Sequence, residues 1–259
     1  MRARILVALA LGAALVAGAR APVVPSGPVP TALAQVVRTF PHDPRAFTEG
    51  LLFHDGRLYE STGEPGRSSI REVDLATGKV LRSVVIPPPT FGEGIVIWGK
   101  QIISLTWRDG LGWRWSLAHF ARVGSFRYPG EGWALTTDGR SIIMSDGTDQ
   151  LRFLDPATLR ERHRLRVAAD GRPVDQLNEL EYVDGEILAN IWRTNRIARI
   201  DPASGAVIGW IDVSALTEQV HPTDQDDVPN GIAWDASHRR LFVTGKDWPT
   251  LYQIRPPRG

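Results

Sequence analysis

The sequence contains no cysteine, which excludes disulfide bonds, thiolate catalysis and cysteine-based zinc sites. Its six histidines never occur at the His-x-x-x-His spacing of metal ligands, and most are expected in turns or at the surface. No Gly-x-Ser-x-Gly motif supports serine hydrolase chemistry, and no glycine-rich phosphate loop precedes a helix. We therefore expect no cofactor and no metal site.

An excess of charge of either sign is also missing. The formal net charge is +1, and the arginines form no basic block. Nucleic acids and anionic membrane surfaces normally require such a block, so neither is expected as a partner.

The chain has 259 residues, of which 42% are hydrophobic and 23% charged, enough for a sizeable core. All-β folds of this length are often one domain, and we expect a monomer.

One long apolar run is present, at residues 5–19, and it lies at the N-terminus. Arg2 and Arg4 precede it, and Ala-x-Ala cleavage sites end at Ala19 and Ala34, which is typical of a signal peptide. An uncleaved membrane anchor is the alternative. Export predicts a periplasmic or secreted protein without a membrane contact after cleavage. The predicted divisions are a signal peptide (1–21), a Pro-rich linker (22–34) and the folded body (35–259).

The body repeats a triplet of a carboxylate or carboxamide, a small or polar residue and an apolar residue. Successive triplets are 44, 38, 47 and 52 residues apart, which is the period of β-propeller blades. The five triplets are Glu49-Gly50-Leu51, Glu93-Gly94-Ile95, Glu131-Gly132-Trp133, Asn178-Glu179-Leu180 and Asn230-Gly231-Ile232.

A turn and further short apolar strands follow each triplet. In the second unit, the third strand of the unit is expected at residues 117–120. The fifth unit ends after its third strand, and residues 35–40 supply the missing outer strand. A ring closed in this way has no exposed edge. The sequence therefore predicts an all-β, five-bladed β-propeller of four-stranded antiparallel blades, closed by the N-terminal strand, with no helix of any length.

The strand register brings polar and aromatic residues to one end of the ring. Five residues after the start of each second strand come Gly63, Trp107, Gly147, Trp192 and Lys246. The triplets are expected to start the innermost strands, so their first residues form a polar ring around the same axis. A purely structural role for each residue is the alternative, with carboxylates bonded to backbone and tryptophans packed at blade edges. Asp224, Asp226 and Asp227 resemble part of a calcium loop but lack its glycine and closing glutamate, which favours a solvated loop.

Seven fragments in order resemble the glutamine cyclotransferases of plants and bacteria, a family of five-bladed propellers. The resemblance extends from about Val36 to Ile254. Its carriers are Phe47-Thr48-Glu49-Gly50-Leu51, Phe91-Gly92-Glu93-Gly94, Leu105-Thr106-Trp107, Glu131-Gly132-Trp133, Leu177-Asn178-Glu179-Leu180-Glu181, Asn190-Ile191-Trp192 and Thr244-Gly245-Lys246-Asp247-Trp248.

The resemblance implies a set of site residues. The family's catalytic glutamate corresponds to Glu93, and its polar partners to Glu49, Asn178 and Lys246. Plant members carry glutamine at the position of Glu49, whereas bacterial members carry glutamate, as this chain does. Two neighbouring carboxyl groups, Glu49 and Glu93, are therefore expected here, and their titrations are expected to be coupled. The implied pocket aromatics are Phe47, Phe91, Trp107, Trp133 and Trp192.

The implied reaction closes the N-terminal glutamine of a peptide or protein into pyroglutamate and releases ammonia, without a metal ion. Two other functions fit a polar and aromatic propeller mouth. One is a non-catalytic module that binds a periplasmic peptide or protein. The other is a propeller-type lactonase with a metal held by carboxylates on the axis.

Overall fold

The computed structural model describes residues 27–256, and these residues are almost entirely β-structure. The predicted signal peptide lies outside the described residues. One short helix, α1 (Ser214–Val220), occurs in this range, and no described helix is long and apolar enough to span a bilayer.

Five twisted antiparallel sheets form the blades of a propeller, as predicted. Each of the first three blades is one continuous segment in which the strands run from the axis outward. Blade 1 contains β3 (Thr48–His54), β4 (Arg57–Thr62), β5 (Ser69–Val73) and β6 (Val80–Val85). Blade 2 contains β7 (Gly92–Trp98), β8 (Gln101–Thr106), β9 (Leu111–Ser116) and β10 (Arg122–Arg127). Blade 3 contains β11 (Ala134–Thr137), β12 (Ile142–Ser145), β13 (Gln150–Leu154) and β14 (Glu161–Arg166).

The last two blades each receive a strand from the N-terminal side of the chain. Strand β2 (Val36–Pro41) pairs antiparallel with the outermost C-terminal strand of blade 5, which confirms the predicted closure. Strand β1 (Thr31–Leu33) pairs in parallel with the outer strand of blade 4. A small hairpin, β15 (Ala168–Ala169) and β16 (Arg172–Pro173), precedes blade 4. Blade 4 contains β17 (Leu177–Val183), β18 (Glu186–Ile191), β19 (Arg196–Ile200) and β20 (Val207–Asp212), and blade 5 contains β21 (Pro229–Asp235), β22 (Arg240–Gly245) and β23 (Thr250–Ile254).

Three local expectations from the sequence differ from the structure. The end of the predicted linker, 22–34, contributes β1 to a sheet, because its backbone completes the edge of blade 4. The third strand of blade 2 is β9 and not residues 117–120: Trp113 and Trp115 alternate with Arg114, whereas Phe120 lies in a turn with a φ of 53°. Helix α1 was not expected, and its Leu216 is buried against the core.

The innermost strands β3, β7, β11, β17 and β21 contact their neighbours around the ring. Apolar side chains of adjacent blades pack between them in five buried clusters. Aspartates hold several outer hairpins: Asp74 accepts hydrogen bonds from the backbone and hydroxyl of Thr77, and Asp155 does the same for Thr158. Sheets fixed in this way hold the loops at one end of the ring close to the axis.

Candidate active site

A cavity of about 170 Å³ opens at one end of the propeller axis. All nine residues predicted for the site line it, together with one that was not predicted, Asp226. The lining residues are Phe47, Glu49, Phe91, Glu93, Trp107, Trp133, Asn178, Trp192, Asp226 and Lys246.

The ends of two kinds of strand build this cavity. Glu49, Glu93 and Asn178 lie at the starts of the innermost strands β3, β7 and β17. Trp107 and Lys246 directly follow the second strands β8 and β22, which run in the opposite direction and end at the same face. Antiparallel pairing therefore brings residues from every blade to one mouth.

Aromatic rings form two edge-to-face groups on the cavity wall. Phe91 lies between Phe47 and Trp107, at centroid distances of 6.1 and 5.6 Å, and the Trp133 and Trp192 centroids are 5.6 Å apart. Such contacts are favourable and fix ring orientation. The wall has the flat, apolar character that suits a short uncharged side chain such as an amide-bearing one.

Two glycines provide room for these rings. A Cβ atom at Gly63 would lie 2.4 Å from the Phe91 ring, and one at Gly147 would lie 2.6 Å from the Trp133 ring. Gly147 also has a φ of 79°, in the region that side chains disfavour. Both glycines occupy the register position predicted for the mouth, and site aromatics fill the space beside them.

Glu131 connects the two aromatic groups. Its Oε2 accepts hydrogen bonds from the indole nitrogens of Trp107 (2.7 Å) and Trp133 (2.9 Å), and its Oε1 accepts one from Arg108 (3.2 Å). Partial burial of Glu131 raises its pKa, but these hydrogen bonds outweigh that effect and hold the pKa below its ordinary value. The expectation that Glu131 starts an innermost strand was wrong. Strand β11 begins at Ala134, so Glu131 precedes the strand and lies at the rim.

Glu49 is buried and held by two donors. Lys246 Nζ lies 2.6 Å from its Oε1, and Asn230 Nδ2 lies 3.2 Å from its Oε2. Burial raises the pKa of Glu49 to about 7, against the opposing effect of the Lys246 ammonium group. Lys246 also lies 4.4 Å from the centroid of the Phe47 ring, so its charge is directed at the aromatic wall.

Glu93 differs from Glu49 in its partners. It is 5% exposed, and no hydrogen-bond donor among residues 27–256 contacts its carboxyl group. Burial raises the pKa of Glu93 well above its ordinary value, and the neighbouring Glu49 carboxylate raises it further. Of the two neighbouring carboxyl groups, Glu93 is therefore the one whose protonated form is more strongly favoured.

Asn178 supplies an uncommitted amide. Its side chain is buried at the cavity wall, and its amide group has no hydrogen-bond partner in the described part of the chain. An amide in this state offers two donors and one acceptor to a bound molecule. The cavity thus combines a buried carboxyl group, an ammonium group and a free amide against an aromatic wall.

Sequence reasoning missed a second layer at the mouth. Arg108 and Arg193 lie over the rings of Trp107 and Trp192, at 3.6 and 4.4 Å from the ring centroids. Arg193 also contacts Asp226, with a nitrogen–oxygen distance of 3.0 Å. The sequence signal for these arginines was the Trp-Arg pair that follows the second strands of blades 2 and 4.

Asp226 lies in the acidic loop that was interpreted as solvated. No metal-binding group of three or more His, Asp or Glu side chains occurs within residues 27–256.

Two buried polar residues serve the fold beside the site. Glu179 accepts hydrogen bonds from the backbone nitrogens of Leu51 (3.1 Å) and Ile232 (2.8 Å), which is the structural role considered for such carboxylates. His42 was expected among turn or surface histidines but is buried, with Nε2 2.9 Å from Glu60. A buried histidine is stable there because Glu60 and the backbone oxygen of Trp248 satisfy both ring nitrogens.

Known proteins resemble the chain over most of its length. The family model for glutamine cyclotransferase matches residues 6–255. A glutaminyl-peptide cyclotransferase of Arabidopsis thaliana is 44% identical over 225 residues, which cover 85% of this chain and 70% of that protein. The crystal structure of Myxococcus xanthus glutaminyl cyclase superposes with a TM-score of 0.83 and 38% identity, covering 88% of this chain and 98% of the other.

Proposed function

This chain belongs to the glutamine cyclotransferase family, and on that premise we propose that it is a glutaminyl-peptide cyclotransferase. It converts the N-terminal glutamine of peptides or proteins into pyroglutamate and releases ammonia, which makes it an acyltransferase of the aminoacyl type. The observation that carries the proposal is the buried carboxyl group of Glu93, whose pKa burial raises, beside an ammonium group and a free amide in an aromatic cavity.

The substrate carries its own nucleophile. A free α-amine has a pKa of about 7.7–8.0, so a substantial fraction is uncharged near neutral pH. The protein has to fold this amine onto the γ-carboxamide carbon, and the edge-to-face aromatic groups hold a glutamine side chain in a bent conformation. The same rings exclude water from the reacting atoms.

Glu93 transfers the proton. The α-nitrogen forms a bond to the γ-carbonyl carbon, and the bond from that carbon to the amide nitrogen then breaks. The carboxyl group of Glu93 gives its proton to the departing nitrogen, which leaves as ammonia, and the resulting carboxylate takes the proton that the attacking amine loses. Glu93 ends in its starting state. A carboxyl group whose pKa is raised towards that of an amine can both give and take this proton.

Lys246 and Asn178 stabilise the oxygen. The γ-carbonyl oxygen gains negative charge as the amine attacks, and both side chains offer N–H donors at the cavity wall. Glu49 holds the Lys246 ammonium group through its 2.6 Å contact and so fixes the direction of that charge. In this proposal the division of labour is that Glu49 orients and Glu93 transfers protons.

Release of ammonia from a Gln-initiated peptide tests the proposal. The matched control peptide carries an acetyl group on the α-amine, which removes the nucleophile and leaves the side chain intact. We expect ammonia and the corresponding mass loss from the free peptide only, with the rate unchanged by a chelator. Loss of activity on chelation would contradict metal independence, and binding of both peptides without ammonia release would favour a binding module.

The location and partners of the protein remain part of the proposal. The N-terminal leader supports export to the periplasm or the medium, where peptides and proteins with N-terminal glutamine are the partners. The near-neutral net charge supports a protein that binds no nucleic acid, and the proposal takes the chain to be a monomer. Fractionation of cells and the size of the mature chain test these points.

A further inference from the structure

Asn230 lies directly behind the catalytic pair proposed above. It is fully buried on β21, and its amide nitrogen donates to the backbone oxygen of Thr48 (2.8 Å) and to Glu49 Oε2 (3.2 Å). Both contacts are acceptors, so only the nitrogen of the amide can face them. The orientation of the Asn230 side chain is therefore determined by its surroundings.

This contact makes the two carboxyl groups unequal. Glu49 receives donors from Lys246 and Asn230, whereas Glu93 receives none from the described residues. Hydrogen bonds to an ionised carboxylate stabilise its charged form relative to the protonated form. The negative charge of the pair is thus drawn to Glu49, and the proton to Glu93.

We propose that Asn230 is a positioning residue that keeps Glu49 as the ionised member of the pair and leaves the mobile proton on Glu93. The inference rests on the proposed function for its catalytic meaning, but the charge distribution itself does not. Asn230 does not line the cavity, and it reaches the carboxyl pair through its contact with Glu49.

A purely structural role explains Asn230 less well. Its Oδ1 is buried and has no hydrogen-bond partner in the part of the chain that the structure describes, which costs stability. The strand is already anchored by two other side chains, since Asn190 Oδ1 accepts from Gly231 N (3.2 Å) and Glu179 accepts from Ile232 N. The bond from Asn230 to Glu49 is what these anchors do not provide.

Other charged groups also face Glu49 and must be held constant in a test. Lys246 approaches from the end of β22 and Asp226 from the loop before β21, and both act on the pKa of Glu49. Glu93 on β7 and Glu179 on β17 interact electrostatically with it. A variant at position 230 leaves all four in place.

Carboxyl ¹³C NMR titration of the full chain tests the proposal without relying on activity. In Asn230→Ala we expect the titration of Glu49 to move upward by about 0.5–1 pH unit, because a donor to the ionised form is lost. The matched control, Asn190→Ala, removes a neighbouring anchor and lowers the melting temperature but leaves the Glu49 titration in place. The signal is assigned with Glu49→Gln.

The pH profile of ammonia release gives the catalytic readout. The acidic limb of kcat/KM is expected to shift upward by the same amount in Asn230→Ala and to stay fixed in Asn190→Ala. Asn230→Asp serves if the alanine variant does not fold, and its added carboxyl group is expected to shift both measurements further. Titrations of Glu49 that coincide in wild type and both Asn230 variants would overturn the inference. An absence of ammonia release in wild type would instead refute the proposed function and leave the titration result standing.

Discussion

Lys246 Nζ lies 2.6 Å from Glu49 Oε1, and both side chains are almost fully buried. A buried ion pair is costly to break, because the remaining partner keeps an uncompensated charge away from water. This pair joins the residue that follows β22 in blade 5 to the start of β3 in blade 1. It therefore connects the stability of the ring with the chemistry of the cavity.

Lys246→Met is expected to destabilise the protein by about 3–5 kcal/mol at pH 8, because the buried Glu49 carboxylate loses its cationic partner and keeps only the Asn230 amide as a donor. Adding Glu49→Gln removes the orphaned charge and is expected to restore part of this loss. Denaturant unfolding of the two single variants and the double variant measures the coupling. Strictly additive losses would show that the pair does not interact as described.

Glu131→Gln is expected to raise KM for a Gln-initiated peptide by about 5–10-fold with a smaller change in kcat, because one charged acceptor aligns two indole rings. Glu131 holds the walls of the cavity and does not contact the reacting atoms. Steady-state ammonia release separates the two constants. A loss confined to kcat would place Glu131 in the chemistry instead.

Gly147→Ala is expected to weaken substrate binding, whereas Gly139→Ala is not. Both glycines have a φ of 79°, so each substitution costs about 1–2 kcal/mol of backbone strain. Only at Gly147 does the new methyl group meet a ring, 2.6 Å from Trp133, while Gly139 has open space. The predicted pattern is a lowered melting temperature in both variants, at least as low in Gly147→Ala, with a raised KM in Gly147→Ala alone; equal KM values would contradict it.

Stability is expected to be greatest near pH 5. Burial raises the pKa of Glu181 from 4.5 to about 8. Between these two pH values the folded state keeps a proton that the unfolded chain has lost, so stability falls as the pH rises from 4.5 towards 8. Burial raises the pKa of Glu60, but the charges of His42 and Arg71 outweigh this effect and lower the pKa to about 2. Stability therefore falls as the pH drops towards that value. Denaturant unfolding between pH 3 and 9 measures both limbs. Glu181→Gln should make the alkaline limb shallower and leave the acidic limb unchanged, while Glu49 and Glu93 maintain part of the alkaline slope. An unchanged alkaline slope would contradict this assignment.

The fold was predictable because each blade repeats the same signals. The triplets, turns and apolar strands recur at a near-constant period, and the incomplete fifth unit identified the N-terminal strand as its partner. Helix α1 and strand β1 were not predictable in this way. Each occurs once, in a connecting segment, and is stabilised by contacts with a neighbouring sheet, as Leu216 shows.

The composition of the site was predictable, but the connections within it were not. Strand register and the family resemblance brought together the nine lining residues. The bonds of Glu131 to two indole rings and of Asn230 to Glu49 depend on side-chain directions between blades, which a period along one chain does not specify. Asp226 was missed because its loop has no counterpart in the other blades.

The measurement that tests the account most directly is ammonia release from a Gln-initiated peptide by Glu93→Gln, with Glu181→Gln as the matched control. Both variants replace a carboxyl group on an innermost strand whose pKa burial raises, but only Glu93 lines the cavity of the proposed reaction. Loss of a positioned proton-transfer group is expected to lower kcat by about 10²–10⁴-fold in Glu93→Gln, with the fold intact and Glu181→Gln near wild type. Full activity in Glu93→Gln would remove Glu93 from proton transfer and contradict the mechanism.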